Sequence, residues 1–111
     1  MPAAKELSRA DEILMVVILV LGENAYSTTI LSELARRAKK KVTVGSLWVS
    51  LDQLVKRGYV RKRTGGENDK VGGRPRVYYA VSKRGLQALK RTRSYQERIW
   101  KGGPGLDEIV V

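Results

Sequence analysis

The sequence contains no cysteine and no histidine. Without cysteine the chain can form neither disulfides nor thiolate zinc sites. Without histidine it lacks the most common general base and the most common metal ligand, so we expect neither an enzyme nor a protein with a metal or other cofactor. Long apolar runs are also missing, because the longest covers only residues 13–21 and is too short to span a bilayer. It follows two acidic residues, and we expect neither a signal peptide nor a membrane partner.

Acidic residues are scarce through most of this chain of 111 residues, which is the length of one domain. Residues 36–101 contain 20 Lys and Arg against 4 Asp and Glu, whereas the rest of the chain contains 2 and 7. An excess of charge is often only a solvated surface. Here it coincides with one supersecondary unit, which favours a polyanion as the partner.

Caps and apolar spacing predict four helices. The first begins after Ser8 and ends at Gly22. Because it is apolar on all sides, we expect it at the centre of the fold, with a second subunit as one possible neighbour. A second helix, capped by Ser27 or Thr28, ends in the cations 39–41, which either complement its dipole or face phosphates.

The third predicted helix runs from Thr43 to Arg57, with Gly58 as its stop. The side chains assigned to its inner face are Val44, Leu47, Trp48, Leu51, Leu54 and Val55. The outer face is mostly small or hydroxyl-bearing, which lets a helix approach a groove closely, whereas a solvated helix more often carries Glu and Lys there. Leu47, Leu51, Leu54 and Val60 are predicted to be core residues.

Two strands are predicted at 59–63 and 76–81, and the polar, Gly-rich stretch between them is predicted to be a mobile hairpin tip without regular structure. Tyr78 and Tyr79 point to opposite faces of this ribbon. One is expected in the core, and the other either packs in the ribbon or reaches a phosphate. Ser82 is predicted to cap a last helix that ends near Trp100, and a tail with an apolar end follows.

The element order and two motifs resemble the PadR family of bacterial transcriptional regulators, in its short form with one helix after the winged-helix domain. The first motif is GSLWVSLDQLVKRGYV at 45–60, where the family usually shows G-x-L-Y, then L-x-x-L and a glycine. The second is GGRPRVYYAVSKRG at 72–85, where the family shows G-x-x-R-x-Y-Y-x-L-T-x-x-G. The resemblance extends from about residue 11 to 102. Trp48 stands where tyrosine is usual, and Ser27 where glycine is usual.

This resemblance implies an α+β, mostly helical fold: a winged helix-turn-helix domain at 8–82, a C-terminal dimerisation helix at 83–101 and a tail at 102–111. It implies a homodimer, a repressor more readily than an activator, that binds a pseudo-palindromic operator in double-stranded DNA. Members of the family commonly dimerise through the first and last helices. A regulator of this kind is expected in the cytoplasm, associated with the nucleoid.

Four sets of residues carry the predicted site. The side chains predicted to face the major groove are Thr43, Ser46, Val49, Ser50 and Gln53. Those predicted to clamp phosphates are Lys40, Lys41, Lys56 and Arg57. The cations predicted to place the wing on the backbone or in the minor groove are Arg63, Lys70, Arg74 and Arg76. The residues predicted to form the dimer interface are Ile13, Val17, Leu86, Leu89, Tyr95, Ile99 and Trp100.

Other functions are compatible with the same residues. The chain could be a drug-sensing regulator of another winged-helix family, whereas a metal sensor is disfavoured without cysteine and histidine. It could instead be an interaction module that binds RNA or an acidic protein, although single-stranded RNA readers usually expose aromatic side chains on a sheet. The resemblance implies one further hypothesis for Trp100, because in some drug-sensing members of the family a tryptophan of the last helix stacks a small flat aromatic effector at the dimer centre. The simpler role for Trp100 is that of an anchor in dimer packing.

Overall fold

The computed structural model describes residues 7–66, 70–71 and 73–110. The fold is the expected mixture of four helices with a small antiparallel sheet. The helices are α1 (Arg9–Leu21), α2 (Ser27–Ala38), α3 (Val44–Lys56) and α4 (Lys83–Trp100). The strands are β1 (Val60–Thr64), β2 (Lys70–Val71), β3 (Arg74–Pro75) and β4 (Val77–Val81). Within the described ranges, no helix is long and apolar enough to cross a membrane.

Three of the four helices begin where their caps predict. The hydroxyls of Ser8, Thr43 and Ser82 each accept a hydrogen bond from the backbone N–H three residues further on, at 3.0–3.1 Å. Each bond satisfies one of the N–H groups that a helix start leaves without an intrahelical partner. Gly22 ends α1 in a conformation with φ of 59°, which a residue without a side chain adopts readily.

The start of α2 differs from the prediction. Its N-cap is Tyr26, so Ser27 is already helical and neither Ser27 nor Thr28 is the cap. The hydroxyl that stabilises this start belongs to Thr29, which accepts a hydrogen bond from the backbone N–H of Tyr26 at 3.0 Å. The hydroxyl of Thr29, in the first turn of the helix, thus takes the stabilising role that was predicted for a hydroxyl at the N-cap position.

The core lies between α1, α2, α3 and the base of the sheet. Met15, Ile30, Leu51 and Leu54 have no exposed area. The core predictions for Leu47, Leu51, Leu54 and Val60 are confirmed, since all four are at most 2% exposed. Burial of side chains of this size contributes roughly 1.5–3 kcal/mol each.

Within one protomer α1 is not covered on all sides, so the expected cover stays a prediction that depends on a second subunit. Val16, Leu19 and Val20 are 38%, 46% and 47% exposed in the protomer. Val17, by contrast, has no exposed area, because it lies on the inward face with Leu14. The prediction that Val17 forms part of a dimer interface is therefore wrong, since it offers no surface to a partner.

β1 and β4 form an antiparallel pair whose register runs from Val60 opposite Val81 to Thr64 opposite Val77. The other edge of β4 is joined to the start of α2, where the Tyr79 N–H donates to the Ala25 carbonyl oxygen at 2.9 Å. β4 is therefore hydrogen-bonded to β1 on one edge and to the helical body on the other.

The hairpin tip contains regular structure that its composition did not predict. β2 and β3 form a second antiparallel pair, in which Lys70 lies opposite Pro75 and Val71 opposite Arg74. The ladder is only two residues long on each side, which suits a Gly-rich sequence. The rest of the tip prediction, at 67–69 and 72, lies outside the described residues.

α4 crosses the base of the sheet and continues past it. Gly85 and Ala88 are buried against the body. Further along, the Gln96 side-chain amide donates to a carboxylate oxygen of Glu12 in the first turn of α1, at 3.2 Å. The tail after α4 is exposed at every described position, and Leu106–Glu108 forms one short 3₁₀ turn.

Candidate nucleic-acid interface

The outer surface of α3 is where the sequence placed the major-groove residues. Val49 is 59% exposed, and Ser46 and Gln53 are also exposed. Ser50 is half-buried, and the Thr43 hydroxyl already serves as the helix cap. The structure therefore brings Ser46, Val49 and Gln53 together as accessible side chains, with Ser50 and Thr43 at their margin.

Trp48 is a correction to the predicted inner face of α3. Its side chain is 54% exposed, and Val44 one turn earlier is 44% exposed. Successive residues of an α-helix are rotated by about 100°, so Trp48 lies on the flank of the buried row that begins at Leu47. Because Trp48 is hydrophobic, it was predicted to be a core residue. Its angular position around the helix, relative to Leu51 and Leu54, instead places it on the side of α3. α3 thus presents an exposed indole beside its polar surface.

Cations flank the N-terminal end of α3. Lys39 ends α2 in the left-handed conformation, with φ of 51°. Lys40 and Lys41 follow it and are exposed, three and two residues before the Thr43 cap. Positive side chains at a helix N-terminus are not stabilised by the helix dipole. Their position therefore suits contacts to an anion outside the chain, although they also follow the C-terminus of α2.

Lys56 and Arg57 are neighbours at the other end of α3, but their environments differ. Lys56 is exposed. Arg57 Nη1 lies 2.9 Å from Asp11 Oδ2, and the guanidinium carbon lies 4.8 Å from the centre of the Tyr59 ring. The charge of Arg57 is thus engaged within the protomer, which argues against the predicted phosphate contact. The long-range pair with Asp11 could not be read from local sequence.

Two wing cations pack on a pair of tyrosines. The Arg63 guanidinium lies 4.4 Å from the centre of the Tyr78 ring, and Arg76 lies 4.1 Å from that of Tyr26. The two rings meet edge to face at 5.6 Å. Arg63, Tyr78, Tyr26 and Arg76 thus form one layered cluster at the junction of wing and body, stabilised by cation–π attraction.

The four predicted wing cations are not equivalent. Arg63 and Arg74 are exposed, whereas Arg76 is half-buried at the base of the wing. Lys70 lies in β2, and its side chain is outside the described part of the chain. Of the four, Arg63 and Arg74 are the two whose side chains the structure places at the wing surface.

Tyr79 occupies the face of the ribbon opposite Tyr78 and packs against the core. Burial raises the pKa of its phenol, and the nearby carboxylate of Asp52 raises it further. Tyr79 is therefore the core tyrosine of the pair. Tyr78 belongs to the cation-bearing face.

Most residues predicted for the dimer interface are accessible in the protomer. Leu86, Tyr95, Ile99 and Trp100 are between 40% and 59% exposed. Ile13 and Leu89 are half-buried and pack against the core. Trp100 is the last residue of α4 and lines an open cavity of about 250 Å³ with Leu7, Tyr95 and Ile99.

A family comparison decides between the functions that these residues allow. Residues 16–91 match the family described as "Transcriptional regulator PadR-like family", which covers more than half of the chain. The chain belongs to this family. A comparison with curated proteins found no match.

Solved structures agree with this assignment at the level of the fold. A PadR-like transcriptional regulator from Bacillus cereus is 17% identical, with a TM-score of 0.67 over 91% of this chain and 93% of its own. A PadR family regulator from Eggerthella lenta is 24% identical, with a TM-score of 0.66 over 92% and 87%. The F93 protein from STIV, named as a winged-helix DNA-binding protein, is 16% identical, with a TM-score of 0.64 over 86% and 95%.

Membership of the PadR-like family makes the protein a DNA-binding transcriptional regulator and not an enzyme. It also excludes a regulator of another winged-helix family. In this PadR-like protein, α3 and the wing combine exposed small polar side chains with exposed cations.

Proposed function

We propose that the protein is a homodimeric repressor that binds a pseudo-palindromic operator through two copies of α3. One observation carries the proposal: the outer surface of α3 has short or polar side chains at Ser46, Val49 and Gln53, and cations flank it at both ends and on the wing. Short side chains allow the helix backbone to enter a major groove, and the cations neutralise the phosphates on either side.

Sequence is read, in this proposal, by the exposed side chains of α3. Ser46 and Gln53 hydrogen-bond base edges, and the Val49 methyl groups contact a thymine methyl group. Thr43 and Ser50 lie at the margin of this surface and provide further contacts. Trp48 lies along the edge of the helix and packs on the sugar-phosphate backbone.

Phosphate contacts set the register of α3 without reading sequence. We assign them to the exposed Lys40, Lys41 and Lys56. Arg57 is left out because its guanidinium is paired with Asp11. On the wing we assign backbone contacts to Arg63 and Arg74, and we predict the same role for Lys70. Arg76 holds the wing base in place against Tyr26.

The proposed dimer buries the apolar surface that the protomer leaves exposed on α1 and α4. On α1 this surface comprises Val16, Leu19 and Val20, with Ile13 at its edge. On α4 it comprises Leu86, Leu89, Tyr95, Ile99 and Trp100. A protomer that exposes this many large apolar side chains gains stability by covering them.

Sequence selection from a random duplex pool tests the proposal. We expect enrichment of a palindrome whose half-sites are one helical turn apart, or a multiple of it, because the two recognition helices of a dimer follow its two-fold axis. Enrichment of a single half-site would contradict the dimer, and no enrichment would contradict sequence reading. Transcription in vitro from a promoter that overlaps the selected site distinguishes repression from activation.

We infer that Trp100 is chiefly an anchor of the dimer, because it is the last residue of α4 and adjoins Ile99 and Tyr95. The competing role is that it stacks a small flat aromatic effector in the cavity beside it. Titration with planar aromatic compounds distinguishes the two roles. Quenching of tryptophan fluorescence that disappears in Trp100→Ala would favour the effector, and loss of the dimer in that variant would favour the anchor.

A further inference from the structure

The solvent side of α4 carries a row of cations that the proposed operator contacts do not use. The row, called here the basic face, comprises Lys83, Arg84, Lys90, Arg91, Arg98 and Lys101. All six side chains are exposed, and the positions between them on the same side, Gln87 and Ser94, are uncharged and also exposed. With a rise of 1.5 Å per residue, the basic face is about 27 Å long.

Acidic side chains do not balance the basic face. Glu97 is the single acidic residue of α4, and it pairs at 3.4 Å with Arg93, which lies on the flank of the helix. Within the part of the chain that the structure describes, no carboxylate forms an ion pair with Lys90, Arg91 or Arg98. Exposed helices that serve only solubility usually alternate charges of opposite sign, because i, i+4 pairs support the helix.

The first turn of α4 also carries positive charge without a balancing acidic residue. Lys83 and Arg84 stand there without an acidic residue, although the positive end of the helix dipole disfavours cations at a helix N-terminus. Arg84 has a packing role, because its guanidinium lies 5.6 Å from the centre of the Tyr59 ring. Lys83 is exposed and has no such role. The charge of Lys83 therefore does not stabilise the helix and does not pack on a neighbouring side chain, which favours a role in binding an anionic partner.

The basic face is made of residues other than those already assigned: none of its six members lies on α3 or the wing, and none belongs to the apolar surface of α4. Apart from Arg84, which packs on Tyr59, it lies on the side of α4 away from the buried Gly85 and Ala88. The helix packs on β4 and on Tyr59 at the base of β1 and reaches Glu12 in α1, and it follows the end of β4 that is remote from the wing tip. The operator contacts proposed for α3 and the wing therefore do not include these six cations.

We propose that the basic face binds the phosphate backbone of a second DNA duplex, so that the dimer bridges its operator to another DNA segment. The row of cations is long enough to contact several phosphates, whose spacing along one strand is shorter than 10 Å. Contacts from Lys and Arg to phosphates hold a duplex in place but carry no sequence information. Binding at this face is therefore independent of sequence and strongly dependent on salt.

A capture experiment tests the proposal. Protein is bound to a biotinylated duplex on beads, and capture of a second, fluorescent random-sequence duplex is measured at low salt. The test variant is Lys90→Gln/Arg91→Gln/Arg98→Gln, since glutamine preserves helix propensity. The control variant, Arg9→Gln/Arg36→Gln/Arg37→Gln, removes the same number of charges from side chains already paired with Glu12 and Glu33. Circular dichroism and fluorescence anisotropy report folding and affinity for the first duplex.

The expected result is that wild type and control capture the second duplex and that the test variant captures about tenfold less, as three phosphate contacts are lost. Affinity for the first duplex should stay the same. Equal capture by all three proteins would overturn the proposal, and so would a wild type that captures no second duplex. A test variant that loses both activities in parallel would place the basic face in the operator contact and would also overturn it.

Discussion

The Arg57 guanidinium lies 2.9 Å from the Asp11 carboxylate and joins the end of α3 to the first turn of α1. The two side chains are about one-third and one-quarter exposed, so the pair is shielded from water only in part. Arg57 also covers the Tyr59 ring, whereas its neighbour Lys56 is exposed. Of these two adjacent cations, Arg57 is engaged within the protomer, and Lys56 is the one that we propose for DNA binding.

We therefore predict that Lys56→Gln changes the salt dependence of DNA binding and that Arg57→Gln changes the free energy of unfolding. Lys56→Gln should lower the slope of log K against log salt by about one unit, because one phosphate contact is lost. Its free energy of unfolding should stay unchanged. Arg57→Gln should lower the free energy of unfolding by roughly 1 kcal/mol, the upper range for a partly exposed pair, and keep the slope. Salt titration and urea unfolding of both variants check this, and an unchanged slope in Lys56→Gln would contradict the phosphate assignment.

α4 crosses the sheet so closely at Gly85 that we predict no larger residue can replace this glycine without loss of stability. An added Cβ would overlap the Tyr59 carbonyl oxygen and would lie 2.8 Å from Val81 Cγ1. We expect Gly85→Ala to lower the free energy of unfolding by about 1–3 kcal/mol despite the better helix propensity of alanine. Gly45→Ala is the matched control, because a Cβ at this helical glycine meets no atom within 4 Å. Urea unfolding of both variants decides, and equal stability of the two would contradict the close crossing.

Tyr79 is predicted to make the protein sensitive to alkali. Burial, then the charge of Asp52, raises the pKa of its phenol above the ordinary value of 10.0. Above that pH the unfolded chain loses the Tyr79 proton and the folded chain keeps it, so the free energy of unfolding falls. This contribution is intact below pH 10 and is lost as the pH rises.

Urea unfolding of wild type and Tyr79→Phe across the alkaline range measures this effect as a difference. The fall in stability should be smaller in Tyr79→Phe, which has no phenol to titrate. Asp52→Asn should reduce the fall in part, because it removes the smaller of the two causes. Parallel curves for wild type and Tyr79→Phe would mean that the titration of Tyr79 is not linked to folding.

The two tryptophans are predicted to report on two different surfaces. Trp48 is exposed on α3 and Trp100 at the end of α4, at 54% and 58%. In Trp100→Phe the remaining Trp48 emission should change when duplex DNA is added. In Trp48→Phe the remaining Trp100 emission should shift to shorter wavelength as protein concentration rises, because the dimer buries the indole. A Trp48 signal that ignores DNA would exclude Trp48 from the DNA contact.

The sequence was sufficient for the parts of the fold that depend on local rules. Hydroxyl caps at Ser8, Thr43 and Ser82 and the stop at Gly22 are satisfied within one turn, so their positions follow from neighbouring residues alone. The inward row of α3 also followed, because Leu47, Leu51 and Leu54 recur with the helical period.

The remaining features depend on contacts between distant residues. Asp11 and Arg57 are far apart in the chain, and the pair that withdraws Arg57 from the predicted phosphate set exists only in the folded protein. The short β2–β3 ladder is likewise specified by the ribbon that it extends and not by its Gly-rich composition. For Val17 and Trp48, hydrophobicity alone could not say which side of a helix would be covered.

The hydrogen bond between the Tyr79 N–H and the Ala25 carbonyl oxygen, with the ring contact between Tyr26 and Tyr78, fixes the wing to the start of α2. The distance between α3, which is proposed to read the bases, and the wing, which is proposed to contact the DNA backbone, is therefore fixed by the fold. If one base pair is inserted between the DNA regions that α3 and the wing contact, the protein cannot bend to adjust to the longer site. The DNA would have to twist or bend to fit, so sequences that deform easily at that step should tolerate the insertion best.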